Sequence, residues 1–424
     1  MMARALILAA LGSTPTLINR PLISRDSELM RDGLRALGVI IEDSTDPWRI
    51  TPARLTGASM HDKSEAKRID VGNAGTVMRF LPSLAAMSKG EFHFDGDPRS
   101  HQRPIAPLIK ALEGLGVKIE HGGRFCLPLT IYGKGELRGG EIEIDASLSS
   151  QFVSSLLLIA PFMKDGLKIK DIGAMLPSLP HIEMTLAMLE DQGFEVETSY
   201  PDEKVRWWRV FPSKPSESKR DVEEHIIEIE PDLSNAAPFL AAVLLAGGSV
   251  TIKAWPRETN QPGDALREIL TTMGGRFKRN GNDITFEATG ERSSIKGIDI
   301  DLSNEGELTP TIAAVAAFAS SPSHLRSIGH LRLHETDRLQ ALAAELRKVG
   351  AAIEEGPDSL AITPAKELPM GPITISTYDD HRIATLGALV GLMIEETSVE
   401  NIATTRKTIT DFPSLWTQLL EKSK

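Results

Sequence analysis

Asn73-Ala-Gly-Thr-Val-Met-Arg79 begins with small polar residues and a glycine, then runs directly into an apolar, Ala-rich helix. Five further stretches follow the same plan. They are Arg4-Ala-Leu-Ile-Leu-Ala-Ala10, Ser149-Ser-Gln-Phe-Val-Ser-Ser155, Ser234-Asn-Ala-Ala-Pro-Phe-Leu240, Gly306-Glu-Leu-Thr-Pro-Thr-Ile312 and Asp380-His-Arg-Ile-Ala-Thr-Leu386. They recur at intervals of roughly 70–85 residues, a period long enough for one supersecondary unit per copy. Helices apolar on most faces are predicted to be buried rather than to lie on a surface.

Between these helices a second unit recurs: an amphipathic helix ending in glycine, then a strand. Met30–Gly38 precedes Val39-Ile-Ile-Glu42, Pro107–Gly116 precedes Val117-Lys-Ile-Glu120, and Arg338–Gly350 precedes Ala351-Ala-Ile-Glu354. Glycine supplies the left-handed cap, and the alternation after it reads as a half-buried strand. His181–Gly193 and Asp264–Gly274 show the same order less tidily. Six helix–strand–helix–strand copies predict a pseudo-symmetric α/β architecture with three copies in each of two domains. The polar stretch Ser213–Glu224, before a predicted strand at Ile226–Glu230, places the boundary near Ile229, giving domains 1–229 and 230–424. Recurrence of Ala/Leu-rich helices by composition alone is the plainer alternative, and regular spacing of both unit types argues against it.

The chain has 424 residues, too many for one ordinary core. Its net charge of −11, with no offsetting basic tract, argues against a nucleic-acid partner. No apolar run approaches a membrane span. The single cysteine, Cys126, excludes internal disulfides and fits a reducing cytosol, so a cytoplasmic protein is expected. Arg4 before apolar Ala5–Leu11 has the look of a signal peptide. That apolar core is minimal and lacks a clear cleavage site, and the repeat accounts for it better.

If the substrate is anionic, so acidic a protein must gather cations locally. Helix N-termini suit anions, because their first N–H groups are unpaired and the macrodipole is positive there. Asn73 and Gly75 could bind a ligand or merely cap and turn, and Ser149 and Ser150 before Gln151 carry the same ambiguity. Asp379-Asp-His-Arg382 puts His381 and Arg382 on an otherwise apolar helix, where a buried cation needs a carboxylate or a bound anion. His330-Leu-Arg-Leu-His334-Glu335-Thr-Asp-Arg338 is the densest cluster. Alternation with Leu331 and Leu333 predicts a strand, with both histidines on one face and no evident third ligand, so no metal is expected. Glu335 with His334 suits acid–base work, and Arg338 suits bidentate binding of phosphate or carboxylate; a surface ion-pair network at the start of the following helix is the plainer alternative.

Taken in order, Asn73-Ala-Gly-Thr-Val-Met-Arg79, Arg103-Pro104-Ile105, Ser149-Ser-Gln151, Glu335-Thr-Asp-Arg338, Asp380-His-Arg382 and Lys407-Thr408 resemble the EPSP (5-enolpyruvylshikimate-3-phosphate) synthase family over essentially the whole chain. The resemblance implies two domains of three βαβαββ repeats, folded as inside-out α/β barrels that close on an interdomain cleft. It implies transfer of the enolpyruvyl group of phosphoenolpyruvate to the 5-hydroxyl of shikimate 3-phosphate, on the pathway to chorismate and aromatic amino acids. Shikimate 3-phosphate is expected at Arg4, Ser149, Ser150, Gln151, Ser178, His181 and His330. Phosphoenolpyruvate is expected at Asn73, Gly75, Arg103, Gln151, Arg338, Arg382 and Lys407. Glu307 is the expected base for the hydroxyl and Glu335 the proton carrier at C3, with His334 and His381 beside them. Glyphosate is the implied inhibitor; no cofactor is implied, and a monomer is expected.

This sequence departs from the family pattern in places. Glu307 stands where Asp is usual, His334 and His330 where Lys and Asn are usual, and His181 where Tyr is often found. The family motif Pro-Gly-Ser-Lys-Ser-x-x-x-Arg is matched only at its end, by Arg4. On that ground a longer native protein is expected, with a first strand for the second domain, and a form starting at Met1 is expected to be nearly inactive. UDP-N-acetylglucosamine enolpyruvyl transferase shares the donor but usually carries a reactive loop cysteine, whereas Cys126 reads as part of a strand. A non-catalytic anion-binding protein of the same fold is the reading from another class. RNA 3′-phosphate cyclase, with a related repeat, is disfavoured by the acidic charge.

Overall fold

The computed structural model describes residues 1–53, 66–199, 205–213 and 224–421. Most of the expected boundary stretch, residues 214–223, lies outside the described residues. The chain separates into two compact units, Met1–Ile229 and Glu230–Lys424.

All six repeated stretches open buried helices: Met2–Leu11, Val77–Met87, Gln151–Ile159, Leu233–Ala246, Thr309–Ala317 and His381–Val390. Around them the sheets share one plan. In Lys67–Asp70, Lys89–Asp95, Leu129–Lys134 and Lys118–Glu120 the first pair is parallel and the next two pairs are antiparallel. Gly140–Ile144, Leu167–Asp171, Trp207–Val210 and Val196–Thr198 repeat it, as do Asp299–Asp301, Ser323–Arg326, Leu360–Thr363 and Ala352–Glu355 in the second unit. A buried helix links the parallel pair and an amphipathic helix leads into the antiparallel pair, which is the βαβαββ repeat.

The first unit closes on itself. His225–Glu228, its last strand, lies parallel to Thr16–Asn19 and completes a sheet with Trp48–Thr51 and Ile40–Glu42. In the second unit, among the described residues, Gly248–Ile252, Asp283–Ala288 and Arg276–Asn280 form a three-stranded sheet, and Ile373–Ile375 pairs with Thr397–Val399.

Amphipathic helices pack the sheets onto the buried ones. Arg25–Ala36 starts at Ser24, whose side chain accepts from the Ser27 N–H in a capping box. Its Gly33 faces Leu81, and a Cβ there would fall 2.2 Å from the leucine Cδ1. A side chain there would have to push the buried Leu81 aside. No helix among the described residues is long and apolar enough to cross a membrane.

Two local expectations are corrected. Gly329–Leu333 is a 3-10 turn, not a strand. Arg332 donates to Asp337, Glu355 and the Gly356 and Pro357 carbonyls, which draws the segment into a turn beside Ala352–Glu355. Cys126 sits in a bend, and the strand begins at Leu129. Phe125 is left-handed at φ +54 and its carbonyl accepts from the Ile105 N–H, so the chain turns before it pairs.

Candidate functional site

In the first unit the residues around Gly75 converge. Arg103, 3% exposed, donates to both the side-chain oxygen and the carbonyl of Asn73 at 2.9 and 2.8 Å. Asn73 is therefore a partner of Arg103, not a helix cap. The helix begins four residues later, at Val77. Arg79 donates to Gln151 Oε1 at 3.0 Å and to the Gly75 carbonyl. Its carbonyl accepts from Ser155, and its guanidinium lies over Phe152. These contacts tie the second buried helix to the third, whose start is held by Ser149 Oγ accepting from the Gln151 N–H.

A Cβ at Gly75 would meet Arg79 Nη1 at 2.9 Å, Arg103 Nη2 at 3.1 Å and Gln151 Oε1 at 3.4 Å. The atoms that must yield are the ends of flexible side chains, so Gly75→Ala should fold normally. It should still shift both guanidinium groups. The expected outcome is an unfolding free energy within about 1 kcal/mol of the parent, with both guanidinium groups displaced. Urea denaturation and a crystal structure of the variant check the two halves.

Arg4 is buried beneath this unit's other polar residues. It donates to Thr185 Oγ1 at 2.7 Å, to the His181 carbonyl at 2.8 Å and to Ser154, and burial lowers its pKa to about 10. Ser178 holds a left-handed backbone at φ +56, and its carbonyl accepts from the His181 N–H, starting the helix that carries Thr185. Ser154 and Thr185 escaped sequence reasoning because hydroxyls on buried helices give no signal of their own.

The second unit gathers a denser cluster. Arg338, 2% exposed, donates to both carboxylate oxygens of Asp380 at 2.7 and 3.3 Å and to Glu335 Oε2 at 2.8 Å. Burial alone would lower its pKa; Asp380 and Glu335 outweigh that and raise it. Arg338 also approaches His334 Nδ1 at 3.0 Å. A guanidinium can only donate, so Nδ1 accepts and the imidazole proton sits on Nε2. The other Glu335 oxygen accepts from Lys407. Asp380 caps its helix through the Arg382 N–H as well, so one carboxylate both caps and pairs.

Two groups in this cluster lack such partners. The Arg382 guanidinium makes no hydrogen bond or ion pair among the described residues, and burial together with Arg338 lowers its pKa. His381 is buried with an unbonded Nδ1, and burial, Lys407 and Arg382 push its pKa well below the usual imidazole value.

Glu307 accepts from Ser234 at 3.2 Å. A Cβ at the adjacent Gly306 would fall 2.4 Å from His330 Nε2, and the His330 and His334 rings lie 5.9 Å apart. The turn thus brings together the histidines that a strand was expected to align. Glu305 was missed, because a glutamate in a polar loop reads as solvated. Partial burial, then Glu307 and Asp301, push its pKa up to about 7. A raised carboxylate pKa destabilises the fold as pH climbs from 4.5 through about 7. Glu305→Gln should therefore stabilise the protein at pH 8 by about 1 kcal/mol, after discounting for solvent screening, and change little at pH 4. Denaturant titrations at the two pH values check it.

The model of the family EPSP synthase (3-phosphoshikimate 1-carboxyvinyltransferase) matches residues 1–416. A 3-phosphoshikimate 1-carboxyvinyltransferase of Kocuria rhizophila is 46% identical over 429 residues, covering 98% of this chain and 91% of that protein. Among solved structures, EPSP synthase from Acinetobacter baumannii superposes with a TM-score of 0.73 at 22% identity, covering 99% of this chain and 92% of its own. The enolpyruvyl transferase NikO from Streptomyces tendae gives 0.70 at 16%, covering 98% and 92%, and these two show the shared fold. With the family model matched from residue 1 to residue 416 and nearly half the residues shared with a curated member, this chain belongs to the EPSP synthase family.

Proposed function

We propose that this chain transfers the enolpyruvyl group of phosphoenolpyruvate to the 5-hydroxyl of shikimate 3-phosphate and releases inorganic phosphate. The observation that supports this most is the buried Arg382 guanidinium near Arg338, which has no hydrogen-bonded carboxylate among the described residues, whereas Arg338 and Lys407 are paired with Asp380 and Glu335. Glu307, Asp232 and Asp380 act on Arg382 only through space, and a bound anion would supply a direct partner.

The chemistry is addition followed by elimination. The substrate hydroxyl attacks C2 of the enolpyruvate and gives its proton to Glu307, while C3 gains a proton that Glu335 relays from the Lys407 ammonium hydrogen-bonded to it. Phosphate then leaves C2 as C3 loses a proton, which restores the double bond. Arg338, Arg382 and Lys407 neutralise charge on phosphoenolpyruvate and on the departing phosphate. His334 keeps an Nε2 proton to donate. In the first unit, Asn73, Gly75, Arg103 and Gln151 serve phosphoenolpyruvate. Ser149, Ser150, Gln151, Ser178, His181 and Arg4 serve shikimate 3-phosphate, as does His330 of the second unit.

The test is acceptor choice, followed by phosphate release. Release with shikimate 3-phosphate and none with UDP-N-acetylglucosamine is expected. The reverse preference, or tight binding of both substrates without release both by this form and by one extended upstream, would reject the proposal.

A further inference from the structure

Glu345 is a charged residue with no exposed surface, on the helix Arg338–Lys348 about two turns beyond Arg338. Its carboxylate is fully occupied. Oε2 accepts from Lys348 at 2.6 Å and from the Ser376 N–H at 3.0 Å, and Oε1 accepts from the Tyr378 hydroxyl at 2.8 Å. Lys348 also donates to the Thr374 carbonyl. Partial burial and Glu345 push the Tyr378 pKa up to about 12, so the phenol remains a donor.

What these bonds hold is an unfavourable backbone. Tyr378 and Asp379 are both left-handed, at φ +53 and +54, and neither is glycine. Side-chain-bearing residues adopt that conformation in succession only where their surroundings impose it. The next residues are Asp380, which clamps Arg338, then His381 and Arg382. Asp379 reaches a third element too. Its carboxylate accepts from Asn401 at 2.8 Å and its carbonyl from Thr404 at 3.0 Å; Asn401 precedes, and Thr404 lies within, the turn Ile402–Lys407 that carries Lys407. One strained turn therefore sets the directions of Asp380 and His381 on one side and Lys407 on the other.

We propose that Glu345, acting through Tyr378, is a positioning residue for the phosphoenolpyruvate-binding cations, a role that rests on the enolpyruvyl-transfer reading. It touches no substrate. Its buried charge holds the Tyr378–Asp379 turn in the conformation that aligns Arg338, His381 and Lys407. Nothing in the helix pattern alone explains a buried glutamate there, whereas the strained turn does.

Tyr378→Phe is the cleanest probe, because the ring is exposed and only the hydroxyl reaches inward. In the full chain it should lower kcat/KM for phosphoenolpyruvate about tenfold, the loss of one hydrogen bond to a charged group. KM for shikimate 3-phosphate should stay within about twofold and the thermal midpoint should barely move. Glu345→Gln should move the same parameters in the same direction, and the double variant should be no worse than Glu345→Gln, since both changes break one link. Unchanged phosphoenolpyruvate kinetics in Tyr378→Phe, equal losses for both substrates, or additive effects in the double variant would overturn the proposal. If the parent gives no product, the activity reading falls on its own. Crystal structures of parent and Tyr378→Phe then decide the positioning claim: a relaxed turn with Asp380 displaced from Arg338 supports it, and an unchanged turn rejects it.

Discussion

Glu335→Gln is expected to lower kcat about 10²–10³-fold, the range of a lost general acid–base group, while KM for phosphoenolpyruvate stays level or falls. The first half follows from the proposed proton transfer at C3. Glutamine keeps the size and one acceptor oxygen but cannot pass a proton. The second half follows from the packing. Glu335 is 8% exposed and receives both Arg338 and Lys407. Removing its charge leaves two buried cations short of a partner, and a bound phosphate or carboxylate would then supply the missing charge. A group that merely held the site together would instead raise KM as kcat fell. Steady-state phosphate release, with thermal unfolding to confirm folding, separates the cases. A kcat within about fivefold of the parent would remove Glu335 from the chemistry.

Asp380→Asn is expected to have the largest effect on stability, a loss of about 3–5 kcal/mol. The carboxylate has no exposed surface and accepts two bonds from a guanidinium that is itself buried. Asparagine preserves the cap on the Arg382 N–H, because a side-chain oxygen suffices for it. It does not preserve the charge. Arg338 would be left with Glu335, which Lys407 shares, and with neutral His334. Denaturant unfolding followed by tryptophan fluorescence and circular dichroism measures the loss. A change under about 1 kcal/mol would mean the pair is far better solvated than its burial implies.

The repeat was readable because its helices violate the usual surface pattern. Leu233–Ala246 and Thr309–Ala317 are apolar all round, and only burial accommodates that. The same contrast made Arg382 conspicuous, a cation on a helix with no polar face. Other parts of the site depend on contacts made across the chain. Arg4 meets Ser154 and Thr185 from positions 150 and 181 residues away, which no local pattern encodes. The His330–His334 segment alternates as a strand should, yet Arg332 finds four oxygen-bearing partners that bend it into a turn. Tertiary hydrogen bonding overrode the period. Glu345 was hidden for the opposite reason: a glutamate on an amphipathic helix is ordinarily solvated, and only the fold reveals the turn it holds.

Running the reaction in heavy water tests the central claim most directly, with the methylene carbon of the enolpyruvyl product read by proton NMR. Addition of the hydroxyl at C2 with proton transfer to C3, then elimination, must pass through a methyl group, so solvent deuterium is expected in the product methylene. A product formed at full rate with no deuterium there would contradict the addition–elimination route, and with it the tasks assigned to Glu307 and Glu335.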